Sequence, residues 1–168
     1  MKPIQMELSA SSIRNAIKQL EDYKKSVNDK NQLFVERLAL LGIPVIQEAI
    51  SFAQGDSNPN VEKEIVLDFD GDVAKAVLKI SGQDVLFFEF GSGIHYNPTN
   101  VPHAEKFGYG VGTYPGQKHA FDPEGWFYRD SVGDLHHSYG TEATMPMLKA
   151  SNQIIRNIRK IAREVYGK

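Results

Sequence analysis

The sequence predicts an α+β fold: a small antiparallel sheet, a meander of about four strands, packed by N-terminal helices and a long C-terminal helix. Three observations predict it. Apolar residues recur at spacings of three and four before Gln54 and again after Pro146. Between Glu64 and Gly91 the period changes to two. Short breaks rich in Gly and Asp separate the alternating runs, as tight turns between antiparallel strands require.

The first helix has Ser9 or Ser11 as its N-cap and an apolar stripe of Ile13, Ala16, Ile17, Leu20, Tyr23 and Val27, weakened at Asn28-Asp29. A second helical segment carries Leu33, Phe34, Leu38, Leu41, Val45, Ile46, Ala49, Ile50 and Ala53. Pro44 should divide it near Gly42, because proline lacks a donor and clashes with the preceding turn. "QGDSNPN" (Gln54 to Asn60) is a loop. A strand meander over 61–91 follows: Ile65, Leu67 and Phe69 alternate with Glu64, Val66 and Asp68, then Val73 to Ile80 alternates after "DGD", and "DVLFFEFG" (Asp84 to Gly91) is read as a third strand. In that strand Phe88 and Phe90 would share a core face opposite Glu89. A long Gly- and aromatic-rich loop occupies 92–124, of a length that in compact domains belongs to functional or mobile segments. Strands return over 125–139 with "GWFYRD" and "LHHSY". The last helix, 145–166, is capped by Thr144, opens on Pro146 and carries one stripe of Met147, Ala150, Ile154, Ile155, Ile158, Ile161, Ala162 and Val165. The 168 residues are expected to form a single domain.

Composition narrows the function classes. A net charge of -2 gives no global attraction to nucleic acid or to anionic membrane. Without cysteine the chain has no disulfide, no thiolate nucleophile and no Cys-based zinc site. The first residues lack the apolar stretch of a signal peptide, and the run Leu38 to Ile46 is broken by Gly42 and Pro44, so a cytoplasmic chain without a membrane span is expected.

"IVLDFDGD" (Ile65 to Asp72) poses a choice. Asp-x-Asp-Gly after an apolar run is the nucleophile strand of haloacid-dehalogenase-type phosphatases, with the first Asp attacking phosphorus. That chemistry needs a parallel strand followed by a helix, whereas here the alternation resumes after Asp72. An Asp-Gly hairpin turn is therefore expected, with Asp68 facing solvent. A calcium loop on Asp68, Asp70 and Asp72 fails because Val73 replaces the required Gly and Lys79 the bidentate Glu.

All five histidines, His95, His103, His119, His136 and His137, lie in the second half, near Glu89, Glu105, Asp122 and Asp134. A metal-dependent hydrolase using Glu89 and the loop histidines is the alternative reading, although no pair has the helical spacing of a zincin. No serine has a nucleophile-elbow frame, and "GYGVG" (Gly108 to Gly112) lacks the strand, helix and lysine of a phosphate loop. The basic residues of the last helix, Lys149, Arg156, Arg159, Lys160, Arg163 and Lys168, read as a solvated face favoured by the helix dipole, with a nucleic-acid face as the competing reading.

Four segments carry a resemblance. "FFEFGSG" (Phe87 to Gly93) resembles an aromatic-Glu-Phe-Gly-small-Gly strand end, "GYGVGTYPG" a Gly-rich insertion and "GWFYRD" a Gly-Trp-aromatic strand. "HHSYGTEATMPMLKA" (His136 to Ala150) resembles a His-x-x-Gly-x-x-Ala-x-x-Pro-Met-x-x-Ala approach to a final helix. In order and spacing these are similar, over residues 85–168, to the minor tail component or neck proteins of long-tailed bacteriophages. Upstream, "RLALLGIPVIQEA" is a looser fit. Ser138 stands where that family has Thr, and Leu148 where it has an aromatic residue. The resemblance implies a non-enzymatic structural protein of head–tail joining or tail completion, found in the virion tail or neck and in host cytoplasm during assembly. It would use no catalytic residue, metal or cofactor. Its partners would be copies of itself in a ring and neighbouring neck or tail proteins. Aromatics concentrate interface energy. Phe107, Tyr109, Tyr114, Phe121, Trp126, Tyr128, His137, Tyr139 and Met147 are therefore the candidate interface residues, with Phe127 beside them. Core packing is an equal alternative for Trp126.

Overall fold

Ser9 starts the first helix: its backbone is extended and its hydroxyl accepts the amide of Ser12 at 3.2 Å. The computed structural model describes residues 7–54, 61–82, 85–93, 104–107, 119, 121–130 and 132–167, with the backbone alone at 53, 54, 105 and 107. Helix α1 (Ala10–Leu40) runs unbroken through Asn28 and Asp29. The weakening expected there does not occur because Asn28 is used: its Nδ2 donates to the Gly71 carbonyl at 3.2 Å and to Asp72 Oδ1 at 3.3 Å.

Helix α2 (Gly42–Gln54) begins where Pro44 dictates. The proline ring forbids a helical carbonyl four residues back, and α1 ends at Leu40. Gly42 is buried under Leu78, and a Cβ there would run into the Leu78 side chain.

Strands β1 (Glu62–Asp70) and β2 (Val73–Ser81) form an antiparallel pair in register from Glu62 opposite Ser81 to Asp70 opposite Val73. Gly71, at φ +56°, and Asp72 make the two-residue turn. Asp68 is exposed and opposite Lys75, on a strand with an antiparallel neighbour. Asp68→Asn is accordingly expected to change stability by no more than about 0.5 kcal/mol, measured by thermal unfolding. A large loss would mark a role that an exposed strand position does not have.

Residues 85–91 depart from the sequence reading. The alternation predicts a third strand of the meander there, and Val85–Phe90 is instead a short helix, α3, closed by Gly91 at φ +73°. A strand would put Phe88 and Phe90 on one face. The helix turns them apart, so Phe88 joins Ile46, Ile50 and Ala150 in the main core while Phe90 packs with Ala143. Both are buried, as expected, but in two clusters. The fold is α+β as expected, with small antiparallel sheets and a long C-terminal helix. Among the described residues, however, the strands form two separate two-stranded sheets rather than one of about four, the second made by β3 (Trp126–Arg129) and β4 (Leu135–Ser138). Within the 92–124 segment, Ala104–Phe107 forms one 3-10 turn.

Helix α4 (Pro146–Tyr166) has Pro in its first turn, as expected. Its stripe is narrower than read: Ala150, Ile161 and Val165 are buried, whereas Ile155 and Ile158 face outward. Val45, Val61, Leu78, Ile80 and Met147 close the main core from α2, the first hairpin and α4. Each fully buried apolar side chain there contributes about 1.5–3 kcal/mol. Among the described residues no helix is long and apolar enough to cross a membrane.

Candidate assembly site

Two of the four resembling segments, far apart in sequence, lock together. Ser92, almost wholly buried, donates its amide to the Thr141 carbonyl at 2.8 Å, and the Thr141 amide returns to the Ser92 carbonyl and hydroxyl, each at 3.0 Å. The amides of Thr144 and Met145 both bond the Phe88 carbonyl, at 2.8 and 3.0 Å. Three glycines make this approach possible. Gly91, Gly93 and Gly140 have φ of +73°, +76° and +113°, and a Cβ on any of them would press on backbone of the opposite segment.

Glu89 completes the lock. Its Oε2 accepts the amide of Met147 at 2.7 Å and its Oε1 that of Leu148 at 3.1 Å. The N-cap position of α4 is Met145 in the left-handed conformation, which provides no side-chain cap. The carboxylate that satisfies the first turn of α4 therefore comes from α3. Thr144, expected as the cap, instead directs its hydroxyl to the Phe88 carbonyl at 3.4 Å. Burial pushes the Glu89 pKa up, against the opposing pull of the two amides and of Lys149.

From this lock the β3–β4 hairpin projects. Trp126 is half-buried, with the far edge of its indole over Gly93. Beyond it the hairpin is aromatic on both faces. Tyr128 stacks on His136 with ring centres 5.4 Å apart. On the other face Phe127, His137 and Tyr139 form a run with successive centres at 4.6 Å. Phe127 is 67% exposed and Leu135 58%, so apolar area points into solvent. Asp130 sets the turn. Its Oδ1 accepts the amides of Val132 and Asp134 at 3.0 and 2.9 Å, and Oδ2 lies 2.9 Å from His136 Nε2. The His136 hydrogen bond, ahead of the backbone amides, holds the Asp130 pKa below the usual carboxylate range. His137 Nε2 is 2.8 Å from the Glu124 carbonyl, which ties the hairpin to the chain entering it.

The expected interface residues separate accordingly. Trp126, Tyr128, His137 and Tyr139 all lie on or beside the hairpin but divide between its two faces, Tyr128 on one and His137 with Tyr139 on the other. The exposed Phe121 lies shortly before it in the chain. Met147 does not join them: it packs against the main core. Phe107 sits in the 3-10 turn, where only its backbone is described, and Tyr109 and Tyr114 lie outside the described residues. For the hydrolase reading, Glu89 is committed to two amides, His95 and His103 lie outside the described residues, and His136 and His137 are engaged on the hairpin. Among the described residues no three His, Asp or Glu side chains converge as metal ligands. Ser92, Thr141 and Asp130 were not singled out from sequence, although the glycines beside Ser92 and Thr141 were the available signal.

Comparison with protein-family models, with curated proteins and with solved structures finds no match.

Proposed function

We propose that this chain is a non-enzymatic structural protein of a phage or prophage, acting in head–tail joining or tail completion. It would self-associate in a ring and contact neighbouring neck or tail proteins, in the host cytoplasm during assembly and then in the virion. The observation that carries the reading is the β3–β4 hairpin, tied at its base by Trp126 over Gly93 and by His137 to the Glu124 carbonyl, and aromatic on both exposed faces. Among the described residues neither outer edge of that hairpin pairs with another strand. Free edges and exposed rings are what a subunit offers to a neighbour. A ring requires a head-to-tail contact, so the hairpin would meet a different surface of the next copy.

The test is a double variant, Phe127→Ala with Leu135→Ala. Both side chains are exposed, so unfolding should shift by no more than about 1 kcal/mol. Light scattering and negative-stain microscopy of the unaltered chain, alone and with neighbouring tail proteins, should show rings, and the variant should lose them. Persistent monomers of the unaltered chain under both conditions would sink the reading.

A further inference from the structure

Among the described residues, hydrogen bonds and ion pairs from other elements reach α1 only from Lys24 onward. The tip of the first hairpin meets α1 at Lys24, 3.0 Å from Asp72, and at Asn28. The end of α4 meets it at Asn31 and Phe34 through Tyr166. From Ala10 to Tyr23 no described residue hydrogen-bonds or ion-pairs with another element. Along this stretch Ile13, Ile17, Leu20 and Tyr23 are between 39 and 55% exposed, with Ala16 buried among them. A helical segment of this length is marginal in water unless its apolar face is packed.

The pattern specifies the packing. Ile13, Ala16, Leu20, Tyr23 and Val27 alternate spacings of three and four, the repeat of a coiled-coil seam. Helical periodicity turns Arg14, Lys18, Glu21, Asp22 and Lys25 to the opposite side. One flank of the seam is Ser12, Gln19 and Ser26. The other is Ile17 and Lys24, whose charge is already matched by Asp72. Two such seams can therefore meet without like charges opposed.

We propose that this seam pairs with the same seam of a second copy, antiparallel, about a two-fold axis near Lys18. The antiparallel sense follows from volume: it sets small Ala16 against Leu20 of the other copy and Ile13 against Tyr23, where a parallel pair would set alanine against alanine. It also keeps the two folded bodies at opposite ends and aligns the helix dipoles favourably. Over both copies the contact removes roughly 700 Å² of apolar side chain, and about 1,000 Å² with the flanks, the lower bound for a specific interface. The dimer should thus be weak and concentration-dependent. This contact is isologous and separate from the hairpin contact proposed for a ring, so either can fail alone.

The absence of cysteine makes the test direct. Ile13→Cys and Tyr23→Cys chains, mixed and mildly oxidised, should cross-link to each other, while Ile13→Cys alone should not. Sedimentation equilibrium should show a concentration-dependent dimer, and Leu20→Glu should weaken it at least tenfold with unfolding temperature nearly unchanged. A monomer at several hundred micromolar, cross-linking of Ile13→Cys to itself, or a dimer indifferent to Leu20→Glu would each overturn the proposal.

Discussion

Replacing Glu89 with alanine is expected to lower the free energy of unfolding by about 2–4 kcal/mol, because two amides of the first turn of α4 lose their acceptors at once. No side chain at the N-cap position can take over, since Met145 holds it in a left-handed conformation. Glu89→Gln should cost less, as a single carboxamide oxygen still accepts one amide while the buried charge disappears. The two variants should also differ from the unaltered chain in pH dependence. Burial raises the Glu89 pKa above the ordinary 4.5, so the folded state retains this proton to higher pH than the unfolded chain does. Stability linked to that proton is complete below the ordinary value and declines as pH rises through the raised one. Thermal unfolding followed upward from below the ordinary 4.5 should show this decline in the unaltered chain, and neither variant should show the contribution from position 89. An alanine variant as stable as the parent would mean that α4 satisfies its first turn in some other way.

The same carboxylate shows where the sequence was legible and where it was not. Long periodic segments were: α1, α4 and the β1–β2 hairpin have the character their spacing predicts, and Pro44 sets the α1–α2 boundary. "VLFFEF" was not. Its residues favour strands, and six residues span too little of a helix for periodicity to decide. Its helical state is decided by contacts that only the fold provides: a left-handed glycine behind it, Phe88 and Phe90 entering separate clusters, and Glu89 reaching α4. The division into two sheets follows from that turn of helix, which removes the strand that would have continued the meander. At the candidate site, the two short strands that carry the hairpin's rings were readable from "GWFYRD" and "LHHSY", whereas which of those rings face solvent was not. Met147 was read both in the stripe of the last helix and as an interface candidate, because the same side chain can serve a core or a surface. The phase of α4 against α2 and the hairpin decides that, and sequence spacing does not carry it.

Gly140→Ala should be among the most damaging single-methyl changes in the chain, costing about 3–5 kcal/mol when backbone strain and disrupted pairing are combined. Gly140 has φ +113°, where a side chain is strained whatever the space around it. There is also no space: a Cβ would fall on the Ser92 carbonyl, the group that accepts the Thr141 amide at 3.0 Å. Gly133 separates the two effects. It has φ +97° with nothing near its Cβ position, so Gly133→Ala should carry the strain alone, about 1–3 kcal/mol. The difference between the two variants therefore measures how tightly Gly91–Gly93 is pressed against Gly140–Ala143. That junction anchors the hairpin, because Gly140 follows β4 by two residues and Trp126 at the start of β3 rests over Gly93. If assembly uses the hairpin, Gly140→Ala should impair it at temperatures where the chain is still folded, since the rings would no longer be held in one direction. Equal losses for both variants would instead indicate a junction soft enough to admit a methyl group, and a hairpin free to pivot on it.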